Sequence, residues 1–307
     1  MKRHAARLGF DACGVARAGD ADPEDRLGRR LAEGYHADMA WLADTREIRR
    51  DVRRWLADAR SVVVVARNYY APRPAPAQPE ASGRVARYAW GRDYHRVLRK
   101  PVRALAGYIE SLEEGAQCAW SIDTGPVLEK AWAARAGIGW IGKNSLVLRP
   151  GLGSWFFLSV IATTVEIAPD APMADQCGSC TLCIEACPTG AIVAPRTVDA
   201  RRCISYHTVE HRGAMPPDVQ AGLGDWLFGC DVCQEVCPWN ATAATTSEPD
   251  FHPRPGHANP ELDWLAQMDD EAFREAFAGT PILRAKRAGV QRTAKAVSRN
   301  RSRHPGD

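Results

Sequence analysis

Cysteine is the residue type of this 307-residue chain with the clearest capacity for chemistry, and there are ten. Seven of the ten form two compact arrays, Cys177-x2-Cys180-x2-Cys183-x3-Cys187-Pro188 and Cys230-x2-Cys233-x3-Cys237-Pro238. An eighth, Cys203, lies between the arrays. Eight thiols at these spacings are enough to hold two iron–sulfur clusters with four cysteines each. The spacing therefore predicts a protein that transfers single electrons.

The first array has the spacing of the bacterial ferredoxin run, in which three cysteines hold one [4Fe–4S] cluster and the fourth ligates the second cluster. Cys203 would replace the leading cysteine that the second array lacks. We therefore predict two crossed ligand sets. They are Cys177, Cys180, Cys183 and Cys237 for one cluster, and Cys187, Cys203, Cys230 and Cys233 for the other.

Two alternatives for the cysteines are a zinc site and a disulfide framework. Zinc favours two separated CxxC pairs, and disulfides are typical of small secreted chains with a signal peptide. The N-terminus, MKRHAARLGF, has no apolar signal segment and no twin arginine, and no run of about 18 apolar residues follows. We expect a cytoplasmic protein without a membrane span, in which Cys13 and Cys118 are small hydrophobic residues of strands.

The elements that must position the cysteines divide the chain into three predicted regions. Residues 1–168 alternate between helical and β-branched segments and predict an α/β (α+β) domain. Residues 169–242 carry the clusters, and residues 243–307 predict a helical, basic region in which Gly289 divides the last helix. A hydrophobic content of 45% is sufficient for a sizeable core.

One glycine-rich segment, Gly137-x-Gly139-x-x-Gly142-Lys143, matches phosphate-binding motifs by letter only. Those motifs follow a strand and open a helix, whereas these glycines follow a predicted helix and precede a strand. Two interpretations stay open, a tight structural turn or a bare backbone that approaches a large flat ligand. In the second interpretation Lys143 and Asn144 are polar contacts.

Asp123 follows a predicted strand and precedes a predicted helix. It is either a catalytic acid, because ligands bind beyond the carboxyl ends of strands in open α/β sheets, or the N-cap of the helix. Upstream, Asp93-Tyr94-His95 begins like the DxHxxG motif that binds cobalt through histidine, but Leu98 stands in place of the glycine. His95 is therefore expected to shape a pocket or cap a helix and not to ligate cobalt.

The C-terminal region concentrates positive charge, although the net charge of the chain is only +3. Such a block either binds nucleic-acid phosphates or is a solvated tail. The candidate phosphate-binding residues are Arg284, Lys286, Arg287, Arg292 and Lys295, together with Arg212 of the cluster region.

Taken together, the motifs resemble the epoxyqueuosine reductase family over nearly the whole chain. The segments that carry the resemblance, besides both cysteine arrays, are LGFD at 8–11, GYH at 34–36, RYA at 87–89, GRDYH at 91–95, DTGPVLE at 123–129, AGIGWIGKN at 136–144 and GSWF at 153–156. Some members carry a longer helical-repeat tail, which is not present in this sequence.

The resemblance implies a nitroreductase-like cobalamin-binding domain, a ferredoxin-like domain with two [4Fe–4S] clusters and a short helical C-terminal region. The implied reaction reduces epoxyqueuosine at the wobble position of tRNA to queuosine, with electrons from an unidentified low-potential donor. Asp123 would be the proton donor in a pocket lined by Tyr94 and His95. The protein would be a monomer. Cobalamin would contact Arg49, Tyr88, Asp123, Lys143, Asn144 and Ser154.

Two other functions share part of this pattern. A cobalamin-dependent reductive dehalogenase would have the same cofactors, but those enzymes usually carry a twin-arginine signal. A ferredoxin-type electron carrier would not need the 168 residues that precede the clusters. Both alternatives are weaker than an epoxyqueuosine reductase.

Overall fold

The structure is a computed structural model that describes residues 1–303. The first region forms a four-stranded sheet, order β1-β2-β7-β4, in which every neighbouring pair is antiparallel. Its elements in chain order are α1 (Lys2–Arg7), β1 (Ala12–Arg17), α2 (Arg26–Ala32), α3 (Trp41–Asp44), α4 (Arg46–Arg50), β2 (Ser61–Asn68), β3 (Arg84–Val85), α5 (Tyr94–Glu110), β4 (Cys118–Ser121), α6 (Glu129–Arg135), β5 (Trp140–Ile141), β6 (Val147–Leu148) and β7 (Phe156–Thr163).

The central strand β2 is buried on both faces because successive side chains of a strand point to opposite sides. Val63 and Val65 pack with Leu98 and Leu105 of α5 in one core cluster. Val62 and Val64 belong to a second core cluster with Trp132 of α6. The sheet is therefore sandwiched between two helices, and its β-branched sequence matches a strand without a solvent-facing side.

The antiparallel pairing corrects one premise about Asp123. The rule that ligands bind beyond the carboxyl ends of strands applies to open, largely parallel sheets, and this sheet is antiparallel throughout. Asp123 does follow a strand, since β4 ends at Ser121. Its position in a site must therefore be argued from its neighbours in the folded chain.

The rest of the chain forms the cluster region and a helical C-terminal region. Their elements are α7 (Leu182–Glu185), β8 (Ile192–Ala194), β9 (Thr197–Val198), α8 (Ile204–Val209), α9 (Pro217–Ala221), β10 (Trp226–Phe228), α10 (Val232–Glu235), α11 (Leu262–Gln267), α12 (Asp270–Ala276) and α13 (Lys286–Arg303). Strand β10 pairs in parallel with β3 of the first region. The predicted domain boundaries at 168 and 242 stay predictions, and this strand pair joins the regions on either side of the first boundary.

Helix α13 is part of the fold and not a solvated tail. Val290, Ala294 and Val297 are buried in the core cluster that also contains Trp90 and Phe228. The expectation that Gly289 divides the last helix is wrong, because α13 runs without a break from Lys286 to Arg303. Tertiary packing offsets the low helix propensity of this buried glycine.

A buried ion network holds the second cysteine array against the first region. The Arg87 guanidinium is 3.2 Å from one oxygen of Asp231, and the backbone N–H of Arg87 donates to the same oxygen at 2.9 Å. Asp231 is 1% exposed at its side chain and directly follows Cys230. The Arg87 guanidinium also donates to Glu235 at 2.7 Å. One arginine therefore binds both acids at the start and end of α10.

No helix within residues 1–303 is long and apolar enough to cross a membrane.

Replacement of Arg87 by alanine should lower the free energy of unfolding by about 3 kcal/mol, because Asp231 would stay buried with a poorer partner. Arg92→Ala is the matched control, since Arg92 and Asp250 form an ion pair in which about half of each side chain is exposed. The control should lose less than about 1 kcal/mol. Thermal unfolding of the anaerobically reconstituted proteins measures both losses. Equal losses would contradict the stabilising role of the buried pair.

Candidate functional site

The eight predicted cluster ligands, which are the seven array cysteines and Cys203, fall into two neighbouring groups in the folded chain. Burial raises the pKa of the Cys183 thiol, and the nearby thiols of Cys237, Cys177 and Cys180 raise it further. Burial likewise raises the pKa of Cys230, and Cys203 and Cys187 add to that rise. For Cys233 the additional effects come from Cys230, Cys203 and, more weakly, Cys183. Cys183, Cys230 and Cys233 thus have as neighbours members of their own predicted sets, and the two sets approach each other at Cys183 and Cys233.

These thiols fit multi-iron clusters better than single metal ions. Four thiolates on one zinc ion lie about 3.8 Å apart, given Zn–S bonds of about 2.3 Å. Among residues 1–303 no three His, Cys, Asp or Glu side chains come together closely enough to hold one ion. Soft thiolates in groups of four are the donor set of a [4Fe–4S] cluster.

Cys13 and Cys118 lie apart from both groups, in β1 and β4. Both are partly buried. Burial raises the pKa of the Cys13 thiol to about 11. The two thiols thus stay protonated at neutral pH and pack as small side chains.

The glycine-rich segment runs from the end of α6 through β5 into the tight turn that joins β5 to β6. A Cβ on Gly139 would lie 2.0 Å from the carbonyl oxygen of Leu148, and Gly137 has φ of +68°. The Lys143 ammonium donates to the carbonyls of Gly178 and Cys180 at 2.7 and 2.8 Å. This turn therefore contacts the first cysteine loop, where the Lys143 ammonium forms hydrogen bonds with two backbone carbonyls.

Asn144 and Ser154, which with Lys143 are predicted to contact cobalamin, also contact the cluster region. The Asn144 amide donates to the carbonyl of Cys233 at 3.3 Å. Ser154 is buried, and its backbone N–H donates to Asn240 at 2.6 Å while its hydroxyl donates to Gln234 at 2.9 Å. All three residues thus form hydrogen bonds that hold the cluster region against the first region.

Asp123 lies in an exposed, strained loop. Its φ of +63° is in the left-handed region, which non-glycine residues rarely adopt, and its side chain is 62% exposed. The Tyr94 hydroxyl donates to the Asp123 carboxylate at 2.5 Å. Helix α6 begins after Leu128 without a side-chain cap, so Asp123 is not its N-cap. The cap is instead at α5, where Asp93 accepts from the backbone N–H of His95.

Tyr94 is held in place by aromatic packing. Its ring stacks on Phe157 with centroids 4.2 Å apart and on His95 with centroids 4.1 Å apart. Burial and the negative charge of Asp123 raise the pKa of Tyr94, so its phenol remains a hydrogen-bond donor. His95 Nδ1 lies 2.8 Å from Asp93, which leaves its Nε2 at 3.7 Å from Asp123.

Two residues at the start of α6 join this site, although sequence reasoning assigned them no role. Burial raises the pKa of Glu129 to about 8, and Asp123 adds to the rise. Lys130 is accessible to solvent but surrounded by protein, which lowers its pKa; its charged neighbours include Glu129, Asp123 and Cys233. A group that is both accessible and surrounded lies on the wall of a cleft. In the sequence, the signal for these two residues was a pair of adjacent opposite charges at the start of a helix with an apolar centre.

Arg49 and Tyr88 lie on the same wall. Arg49 is buried, and its guanidinium donates to the carbonyl of Val127 at 2.8 Å, within electrostatic range of Glu129 and Asp123. The Tyr88 ring lies 6.4 Å from that of Tyr94, and burial together with Asp123 raises its pKa. Both positions agree with the prediction that these residues face the site of a bound ligand.

Two buried polar atoms beside Asp123, His95 Nε2 and Glu129 Oε1, have no hydrogen-bond partner. A buried polar group without a partner costs free energy. The cleft around Asp123 therefore offers hydrogen-bonding groups that a bound molecule would satisfy.

Comparison with known proteins agrees with this arrangement. A family model described as epoxyqueuosine reductase QueG matches residues 49–124, and a model described as a 4Fe-4S double cluster binding domain matches residues 176–240. The epoxyqueuosine reductase of Synechocystis sp. is 44% identical over 92% of this chain and 99% of its own length. That of Cellulophaga algicola is 39% identical over 95% of both chains. The chain belongs to the epoxyqueuosine reductase family.

Solved structures of the family share the fold. An epoxyqueuosine reductase with an epoxyqueuosine-modified tRNA-Tyr stem loop has a TM-score of 0.88 at 33% identity, over 96% of this chain and 79% of that one. The Bacillus subtilis epoxyqueuosine reductase, with its catalytic aspartate loop swung out of the active site, has the same TM-score, identity and coverage. The mixed α/β fold with a double-cluster domain is thereby confirmed.

Epoxyqueuosine reductase is an oxidoreductase that uses cobalamin and iron–sulfur clusters. The two sets of four cysteine thiols fit the two clusters. The polar atoms without hydrogen-bond partners around Asp123 fit a large polar cofactor. The cleft wall carries three of the residues predicted to contact cobalamin, Arg49, Tyr88 and Asp123. Glu129 and Lys130 lie beside them and would also be available to hold the cofactor. The contacts of Lys143, Asn144 and Ser154 with cobalamin stay predictions.

The predicted tRNA-binding residues divide into two kinds. Arg212, Arg284, Lys286 and Lys295 are exposed, and the Arg212 guanidinium donates to the Arg284 carbonyl at 2.8 Å. Arg292, by contrast, is half-buried and donates to the carbonyls of His211, Gly213 and His207. Arg287 is partly buried against Asp270. Arg292 and Arg287 thus have partners within the chain, and their predicted contact with phosphate stays a prediction.

Replacement of Cys203 by alanine should reduce the iron content of the reconstituted protein from about eight to about four atoms per chain, because one four-iron cluster loses a ligand. Cys13→Ala is the control, since this thiol is also partly buried but lies in β1. Iron analysis and the visible absorbance of the clusters provide the measurement. A Cys203→Ala protein that retains about eight iron atoms would refute the assignment of this ligand.

Proposed function

We propose that this protein reduces epoxyqueuosine in tRNA to queuosine, with Asp123 as the proton donor. Family membership supports the reaction. The exposed position of Asp123 beside Glu129, whose burial raises its pKa to about 8, supports the role of the acid. Removal of the epoxide oxygen as water consumes two electrons and two protons. The protein must therefore deliver both to one place.

The acid role rests on the surroundings of Asp123. Its carboxyl group is exposed in the cleft, so it can reach a substrate oxygen. Tyr94 fixes one carboxylate oxygen, and the Asp93–His95 contact fixes the imidazole beside it. This arrangement positions the second oxygen of Asp123 for proton transfer. Glu129, whose pKa near 8 keeps it protonated at neutral pH, is a proton reserve beside it.

The electron route that we propose runs from the exposed cluster to the buried one. Gly178 and Leu182, in the loop that carries Cys177, Cys180 and Cys183, are exposed to solvent. The other set is deeper, and Lys130 of the cleft wall lies near both Cys203 and Cys233. The cluster held by Cys187, Cys203, Cys230 and Cys233 is thus the one that faces the cleft. Cobalamin, when bound, would supply a redox-active cobalt for the reduction of the epoxide.

The tRNA would approach over the exposed cations near the cleft. Asp123 and Tyr94 are among the groups that raise the pKa of Arg284, after its ion pair with Glu210, so Arg284 lies close to the acid. Arg212 is beside it. A wobble nucleotide that leaves its stack could then enter the cleft while these cations contact the flanking phosphates.

Replacement of Asp123 by asparagine should lower single-turnover conversion of epoxyqueuosine by about 10²- to 10⁴-fold, the usual contribution of a positioned acid. Iron and cobalamin content should stay at wild-type values, because the amide has the same shape. Asp250→Asn is the control, since Asp250 is a surface acid paired with Arg92. Mass analysis of tRNA under anaerobic conditions follows the conversion. A normal rate for Asp123→Asn would refute the acid role.

The double replacement Lys286→Ala/Lys295→Ala should weaken tRNA binding and reduce the slope of log K against log salt by about one unit for each lost phosphate contact. Both lysines are exposed on α13, so the fold should be retained. Deletion of the helix would instead expose the core around Val290 and Val297. Lys100→Ala/Arg103→Ala, on the exposed face of α5, is the control. An unchanged salt slope would exclude α13 from the tRNA interface.

A further inference from the structure

The exposed cysteine loop lies on a surface that combines apolar and basic character. Leu182 of α7 and Val193 of β8 are 46% and 39% exposed, and they are among the few large hydrophobic side chains at the surface. Helix α7 packs against β8, so these two exposed residues lie on neighbouring elements, and we call them the apolar patch. Leu182 immediately precedes Cys183. The apolar patch therefore includes a residue next in the chain to a predicted cluster ligand.

A basic cavity of about 260 Å³ borders the hairpin that carries Val193. Four arginines and one acid, Glu33, line it together with Tyr35, Pro195 and Thr197; the arginines are Arg26, Arg29, Arg30 and Arg196. Arg196 forms an ion pair with Asp175, and Asp175 accepts the backbone N–H of Cys177 at 2.8 Å. The cavity is thus two contacts away from a ligand of the exposed cluster.

We propose that this face, formed by Leu182, Val193 and the basic cavity of Arg26, Arg29, Arg30 and Arg196, docks a small acidic protein that carries a one-electron flavin or iron–sulfur group. The inference rests on the proposed function, because it names the class of donor for that reaction. Opposite charge accelerates and orients the encounter of two such proteins. The apolar patch provides the desolvated centre that a transient complex needs.

The chemistry of electron entry favours a protein over an RNA at this face. Electron transfer requires a close approach to a cluster, and the loop of Cys177, Cys180 and Cys183 is the exposed one. Exposed Leu and Val side chains contribute nothing to phosphate binding. The cations near Asp123, Arg212 and Arg284, belong to a separate group of residues.

The electron balance is simple. Each encounter oxidises the donor by one electron and reduces the exposed cluster by one electron. Two encounters therefore supply the two electrons that one epoxide consumes, while the two protons come from the cleft and solvent. No other reactant is needed.

The test is the rate at which a reduced, acidic plant-type [2Fe–2S] ferredoxin reduces the clusters of the holoprotein, followed by stopped-flow absorbance without tRNA. The charge reversal Arg26→Glu/Arg29→Glu should lower the second-order rate constant by about tenfold or more at low salt. Val193→Asp is a second variant that removes the apolar contact and should also slow the reaction. Lys100→Glu/Arg103→Glu is the control for net charge, and it should behave like the wild type.

Reduction by dithionite, which needs no docking, should proceed at the wild-type rate in every variant and so reports an intact fold. Unchanged ferredoxin rates in both face variants would overturn the proposal. Loss of tRNA affinity in Arg26→Glu/Arg29→Glu with a normal ferredoxin rate would identify the face as an RNA site and overturn it as well. Because cluster reduction is measured without substrate, failure of the protein to convert epoxyqueuosine would leave this result unaffected.

Discussion

The contact between Arg87 and Asp231 is the interaction on which the arrangement of the two cofactor regions depends. Asp231 directly follows a predicted cluster ligand and is almost fully buried. A carboxylate in that position is tolerated only with a charged partner and further hydrogen bonds. Arg87 provides both a guanidinium and a backbone N–H. Because Arg87 belongs to the segment between β3 and α5, the same contact sets the distance from the clusters to Tyr94 and Asp123.

Around this contact, several polar side chains of the first region form hydrogen bonds with the cluster region. Lys143, Asn144 and Ser154 all bind atoms of the cluster region. The cleft wall is supplied instead by Arg49, Tyr88 and the charged start of α6. A separation of this kind lets the cluster loops stay rigid, which suits electron transfer, while the Asp123 loop is exposed and strained.

Prediction from sequence succeeded where local spacing carries the chemistry. The double-cluster domain, the strand at Val62–Val65 and the helix after Asp93 follow from residues that are close in the chain. Sequence gives no partner for a side chain that can choose among distant groups. Arg292, for example, donates to three carbonyls of the cluster region that no local pattern indicates. Glu129 and Lys130 were passed over, because a helix start with two charges is common on protein surfaces.

The sequence by itself determined that this chain transfers single electrons. The number and spacing of thiols are a local property, and few cofactors other than iron–sulfur clusters require them. It also carried the motifs that identify the family. Only the tertiary structure decided which polar groups face the cleft and which fasten the cluster loops. The reason is physical: a lysine or arginine reaches its partner through long-range packing, and the free energy of a buried charge depends on that partner and not on its neighbours in the chain.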